Sequence, residues 1–234
     1  MSRFAQRSAQ TELIDEPDIP FSDWETCLRE LNTINTWLGG HAITLEGIKK
    51  LLHLTTHPVR IAEIGCGGGD NLRAIHQWNN RGTYALTYTG IDLNKACIEF
   101  AEQHCSGLPD KIFINSDYRL VDFQNTERPS IIFNSLFCHH FSNEQLVEML
   151  IWMKKNAGIG FFINDLQRHP VAFYSIKWLT SLFSRSYLVK HDAPVSVARG
   201  FSKQEWRNLL KQAGITNYTI HWKWAFRFLI IVRV

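Results

Sequence analysis

The sequence predicts an α/β domain whose parallel sheet carries helices on both faces. Two observations predict it. Between residues 59 and 163, short runs rich in Ile, Val and Phe alternate with stretches of helical period. Strands separated by helix-length segments pair in parallel and are covered on both sides. A glycine-rich turn, Gly65-Cys66-Gly67-Gly68-Gly69, stands between the first such strand and the first such helix. There a ligand can approach bare backbone.

In chain order, residues 1–20 are polar, carry Pro17 and Pro20 with several acids, and read as a loose arm. Trp24, Cys27, Leu28, Leu31, Ile34 and Leu38 recur at helical spacing, and Gly39-Gly40 ends that helix. Ile43 to Leu54 forms a second helix, stopped before Pro58. Strands are expected at residues 59–64, 86–91, 112–114, 131–134 and 159–163, and helices at 70–78, 94–104 and 142–155. Residues 170–189 break the rhythm as an aromatic helix with Phe173, Tyr174, Trp178 and Phe183, interrupted by Lys177 and Arg185. A further helix spans Ser202 to Ala213. Ser202 and Glu205 have the spacing of a capping box, and Gly214 closes the helix. Residues 218–224 and 226–234 read as a terminal hairpin.

Composition narrows the function classes. The chain has 234 residues, 45% hydrophobic and 20% charged, which excludes a disordered or fibrous chain. This length fits one large domain, or one domain with a cap. Net charge is +3, and basic residues cluster only in pairs such as Lys49-Lys50 and Lys154-Lys155. That argues against a nucleic-acid partner. Five cysteines without a C-x-x-C pair fit reduced thiols in a cytoplasmic protein. No signal peptide or spanning segment is expected. No metal is expected either: Cys138, His139 and His140 are contiguous, and contiguous side chains do not converge on one tetrahedral ion.

Ligand chemistry gathers at strand tips. A dinucleotide fingerprint needs a third glycine where this chain has Asp70. Asp92 follows the second strand, where a carboxylate can accept both hydroxyls of a ribose. Asp117 and Tyr118 follow the third strand, and the segment 134–141 (NSLFCHHF) follows the fourth. Taken singly, Asp92 and Asp117 read equally well as helix caps.

The segment from Ile61 to Asp70, with Glu63 two residues before the first glycine, is similar to motif I of class I S-adenosylmethionine-dependent methyltransferases. Residues 134–141 resemble that family's motif IV. The resemblance implies a Rossmann-like seven-stranded mixed sheet whose last strand is antiparallel. It adds an N-terminal arm and helical cap over 1–57, and a methyltransferase domain over 58–234 with a helical lid at about 170–189. It implies S-adenosylmethionine as cofactor, held by Glu63, Gly65, Cys66, Gly67, Asp92, Leu93, Asp117, Tyr118 and Asn134. In the family the acid after the third strand accepts from the adenine amino group. Asn35 and Trp37 would lie near the donor.

A narrower resemblance rests on residues 12–18 (ELIDEPD), 31–40 (LNTINTWLGG), 164–170 (NDLQRHP), 182–186 (LFSRS) and 191–201 (HDAPVSVARGF). These look like a bacterial methyltransferase group that accompanies type III polyketide synthases. Such enzymes are expected to methylate phenolic or pyrone hydroxyls on lipid-like products in secondary metabolism.

Methyl transfer to a hydroxyl gains from a base, and a histidine suits that task. His139 and His140, just past the fourth strand, are the candidates. Asp165, past the fifth strand, would orient the imidazole. His169 and the pair His191-Asp192 are further candidates. For the substrate, His169 and Phe173 would line an acceptor site under the lid, and Arg199 would pair with an acidic or enolic group or with a surface carboxylate. An apolar lid implies a small apolar acceptor. The same helix, aromatic with few charges, also fits weak contact with a membrane surface. Alternatives are C-methylation of a quinone precursor and a protein that binds S-adenosylmethionine without transfer. An NAD enzyme is disfavoured by Asp70.

Overall fold

The computed structural model describes residues 4–16, 19–54, 58–123 and 128–234. Its strands are β1 (Val59–Ile64), β2 (Leu86–Asp92), β3 (Lys111–Asn115), β4 (Ile131–Ser135), β5 (Gly160–Leu166), β6 (Tyr218–Lys223) and β7 (Arg227–Arg233). They form one sheet in the order β3-β2-β1-β4-β5-β7-β6. β1 to β5 pair in parallel, and β7 runs antiparallel to both β5 and β6. The expected seven-stranded mixed sheet is therefore present. The chain runs outward from β1 through β2 to β3, then returns to place β4 on the other side of β1. Such a reversal opens a crevice beyond the carboxyl ends of the strands.

Helices α1 (Phe21–Trp37), α2 (Gly40–Leu52), α3 (Asp70–Trp78), α4 (Lys95–His104), α5 (Asn143–Asn156), α6 (Pro170–Phe183), α7 (Tyr187–Arg199) and α8 (Lys203–Gln212) surround the sheet. On one face Leu146, Leu150 and Met153 of α5 and Trp206 and Leu210 of α8 pack on Ile132, Phe161 and Ile163. On the other, Ile48, Leu51 and Leu52 of α2 and Leu72 and Ile75 of α3 cover Ile61, Phe133 and Phe162. The rings of Phe133 and Phe162 stack 4.8 Å apart on adjacent strands. Each fully buried ring of this kind contributes about 1.5–3 kcal/mol. Gly47 lets α2 lie flat there, since a Cβ would meet the Phe162 ring at 2.6 Å.

Four expectations change. First, residues 4–16 are not a loose arm. Ser8 N–H donates to Ala198 O, and the amides of Leu13 and Ile14 donate to the Asp192 carboxylate. Pro17 lies outside the described residues. Second, the aromatic helix ends at Phe183, and a separate α7 follows. Ser184 turns extended and Ser186 caps α7, while the Glu30 carboxylate accepts from the Arg185 and Ser186 amides. Sequence periodicity misses α7 because it is buried on most sides and carries Pro194. Third, Asp165 lies inside β5, which antiparallel pairing extends to Leu166 opposite Arg227. Fourth, Asp92 ends β2 rather than following it. Boundaries elsewhere agree to within a few residues, and the capping box of Ser202 and Glu205 is present. Among the described residues, no helix is long and apolar enough to cross a membrane.

Candidate active site

A cavity of about 1210 Å³ opens at the carboxyl ends of the strands. At one end lie Glu63, Gly65, Cys66, Gly67 and Asp92. Gly65 has φ +68°, and a Cβ there would meet the Phe137 ring at 2.2 Å, so only glycine fits. The Gly67 amide donates to Asp92 Oδ2, and the Asn94 amide donates to Oδ1. Asp92 thus both braces the glycine loop and caps the turn into α4. Burial raises its pKa, against the pull of these amides. Glu63 is buried and accepts from the Asn71 side-chain amide at 2.7 Å. Burial holds its pKa well above the usual carboxylate range, against the pull of the Asn71 amide.

Leu93, Asp117 and Tyr118 continue the wall. Asp117 caps the short turn at Tyr118–Leu120 and is gripped by the Arg119 guanidinium, which lowers its pKa. Tyr118 packs edge-on against Phe137 and Trp152. The wall turns apolar toward Leu31 and Ile34 of α1, Leu38 just past its end, and Ile176 and Leu179 of α6.

The far end is built by the turn after β4. Leu136 has φ +55°, a left-handed conformation that costs a non-glycine residue about 1–3 kcal/mol. It throws the chain into a 3-10 turn at Cys138–His140. The two imidazoles end 4.4 Å apart. His139 Nδ1 lies 2.8 Å from Asp165 Oδ1, and the amides of Cys138 and Leu166 donate to the same carboxylate. Burial opposes ionisation of Asp165, yet His139 and these amides outweigh it and lower its pKa. His139 Nε2 faces Glu12 Oε1 at 3.5 Å. His140 Nδ1 faces Asp15 at 3.2 Å, and its Nε2 faces Glu12 Oε2 at 3.9 Å. Glu12 is 4% exposed, and burial pushes its pKa up to about 7.

The structure brings most expected site residues to this cavity and turns others away. Asn134 of β4 is buried on the α5 side of the sheet, with its amide against the sulfurs of Met149 and Met153, so it does not face the cavity. His169 accepts the Val171 amide as the cap of α6 and stacks behind Phe226. Phe173 packs against Phe4 and Tyr174 in the cluster beneath α6. Arg199 donates to the carbonyls of His139, His140 and Gln10, so it fixes the histidine turn rather than a substrate. His191-Asp192 anchors the arm. Asn35 lines the cavity and accepts from Arg227, whereas Trp37 is 84% exposed. Burial lowers the Arg227 pKa to about 10.

Sequence reading missed Glu12 and Asp15 as site residues. They lie more than 120 positions before the histidines, and only the resemblance carried by residues 12–18 singled out their segment.

Residues 61–187 match a family described as a methyltransferase domain. No curated protein matches the chain. The fold is similar to the plantazolicin methyltransferase BpumL, solved in complex with SAH: 17% identity, TM-score 0.66, 91% of this chain and 93% of that one. It is similar to human N-acetylserotonin methyltransferase, solved in complex with SAM: 16% identity, TM-score 0.64, 92% of this chain and 56% of that one. A SAM-dependent methyltransferase from Aquifex aeolicus gives 14% identity and TM-score 0.62, over 93% of this chain and 100% of that one. The chain spans 60% and 66% of the lengths of two further similar structures, from Nostoc punctiforme and Bordetella parapertussis.

Proposed function

The chain belongs to the methyltransferase domain family, and from that premise we propose that it methylates a hydroxyl of a small, mostly apolar acceptor with S-adenosylmethionine as donor. One observation carries this reading. The same cavity is lined by the glycine loop with Asp92, by the histidine turn, and by the apolar faces of α1 and α6. At about 1210 Å³ it exceeds the roughly 300–1,000 Å³ of a single small-molecule pocket. That leaves room for donor and acceptor together.

The residues present fit the donor. Gly65 and Gly67 offer bare backbone. The Asp92 oxygens, each accepting one amide, keep lone pairs for ribose hydroxyls. Leu93 and Tyr118 supply an apolar wall, with Asp117 beside it. When bound, the sulfonium supplies the methyl group.

His139, with Nδ1 fixed by Asp165, presents Nε2 as the base. With donor and acceptor bound, that nitrogen would take the proton of the acceptor hydroxyl as the donor supplied its methyl group to the oxygen. Ile176 and Leu179 of α6 with Leu31 and Ile34 of α1 keep the acceptor end dry. The resemblance to polyketide-associated enzymes supports a phenol or pyrone. In this reading the arm with α1 and α2 forms one wall, and α6 is the lid.

Calorimetric titration with S-adenosylmethionine, S-adenosylhomocysteine and NAD tests it. The adenosyl sulfur ligands are expected to bind and NAD is not. Binding of NAD alone overturns the reading, and binding of the donor justifies a screen of phenolic acceptors by mass.

A further inference from the structure

Two histidines and one glutamate meet at the far end of the cavity, with ligand atoms within 4.8 Å of one another. They come from separate parts of the chain: Glu12 from the arm, His139 and His140 from the turn after β4. Each imidazole is already held at Nδ1 by a carboxylate, His139 by Asp165 at 2.8 Å and His140 by Asp15 at 3.2 Å. That leaves both Nε2 atoms toward Glu12, at 3.5 Å from Oε1 and 3.9 Å from Oε2. Imidazoles oriented by carboxylates through the other nitrogen are what metal sites use to fix tautomer and direction.

The Glu12–His139 separation fits a shared ion better than a hydrogen bond, and the 3.9 Å to His140 closes on binding. A carboxyl and an imidazole that share a proton approach to about 2.7–3.2 Å. Donors around a tetrahedral ion with bonds of about 2.0–2.1 Å stand about 3.4 Å apart. The separation of Glu12 Oε1 from His139 Nε2 is 3.5 Å. Glu12 Oε1 is also buried with no hydrogen-bond partner among the described residues. Arg199 Nε stands 3.9 Å from this oxygen, beyond hydrogen-bond reach, and a metal ion would satisfy the buried acceptor directly. Glu12, Asp15 and Asp165 set three carboxylates against the guanidiniums of Arg7 and Arg199, both of which donate to the backbone of the histidine turn.

We propose that Glu12, His139 and His140 form a binding site for a divalent first-row metal ion, with its remaining coordination positions turned to the cavity. Two imidazole nitrogens and one carboxylate suit zinc or iron(II) rather than magnesium or calcium. This reverses the expectation of no metal. That expectation treated Cys138 as a ligand, but its thiol points to Asn134, while the 3-10 turn lets the two histidines converge on the arm. Ion binding does not depend on the proposed methyl transfer. The consequence for catalysis does. The loaded chain offers the acceptor's oxygen a Lewis acid, and the chain without metal offers it His139 as base.

The test is zinc titration of the untagged, chelator-stripped full chain by calorimetry, with cobalt(II) visible absorption as the coordination readout. Glu12→Gln and His140→Ala are compared with His53→Ala, an exposed histidine outside the site. Thermal melting of each variant separates loss of ligand from loss of fold. One ion per chain is expected. Its affinity should fall at least tenfold in Glu12→Gln and His140→Ala and stay unchanged in His53→Ala. Equal affinity in folded Glu12→Gln, or no stoichiometric zinc in the parent chain, overturns the proposal. S-adenosylhomocysteine titrated into the stripped and loaded chains is read separately. Its failure to bind sinks the methyltransferase reading and leaves the metal site standing.

Discussion

Nδ1 of His139 lies 2.8 Å from Oδ1 of Asp165, across two adjacent strands and 26 residues of chain. The same carboxylate accepts the amides of Cys138 and Leu166, so it holds the turn that carries the histidine as well as the ring itself. Asp165→Asn should leave the turn in place but offer the ring an amide and the wrong tautomer. Comparable histidine–carboxylate pairs lose up to about 10⁴-fold in rate from this change. A loss of about 10²–10⁴ in single-turnover rate is expected, with donor affinity within twofold of the parent. A full rate at saturating donor would remove the pair from proton transfer.

Asp92 braces the glycine loop and, in the proposed function, holds the donor's ribose; its variants should separate the two roles. Asp92→Ala removes the acceptor for the Gly67 and Asn94 amides, which is expected to cost about 1–3 kcal/mol of stability. It should also weaken donor binding by at least tenfold. Asp92→Asn keeps one oxygen as acceptor and should recover much of the stability but little of the affinity. Calorimetry and urea denaturation on both variants check this, and unchanged donor affinity in Asp92→Ala would take the residue out of the ribose site.

Glu12 ties stability to pH. Its folded pKa of about 7 lies above its ordinary value of 4.5. Between those values the folded state binds more protons than the unfolded state, so stability falls as pH rises from 4.5 to 7. The shift corresponds to about 3 kcal/mol at full effect. In chelator, the parent should lose up to that much more stability between pH 4.5 and 8 than Glu12→Gln loses. Parallel urea-denaturation curves for the two chains across this range would show that Glu12 ionises freely when folded.

Arg199 is a test of structure against sequence. Its guanidinium donates to the carbonyls of His139 and His140. Arg199→Met should leave the His140 carbonyl unsatisfied and that of His139 to Arg7 alone, lower the melting temperature and reduce kcat. A rise in KM confined to anionic acceptors, at unchanged kcat, would instead restore the substrate role that its sequence position suggested.

The proposed lid is anchored at Glu30, whose carboxylate accepts the Arg185 and Ser186 amides at the joint between α6 and α7. Glu30→Ala is expected to cost about 1–3 kcal/mol and to raise the acceptor KM while donor affinity holds. Steady-state kinetics in acceptor and calorimetry in donor distinguish this from a general loss of fold.

The sequence by itself determined the sheet, the glycine turn and the acids at strand tips. Those features are local: a period of two or 3.6, a glycine needed at positive φ, a capping box at fixed spacing. Hence β1, α3 and the Ser202 cap were legible nearly to the residue. Burial on most sides hid α7, because a helix with so narrow a solvent face has little periodic stripe to read. Only the tertiary structure decided which side chains face the cavity. Asn134, Phe173 and Arg199 have the residue types of a site yet pack away from it. Glu12 looks like one acid among several on a polar arm. It reaches His139 because the Asp192 carboxylate pins Leu13 and Ile14 across the mouth of the crevice, a contact between residues some 180 positions apart. No local pattern encodes such a meeting; it follows from how the packed helices bring the ends of the chain together.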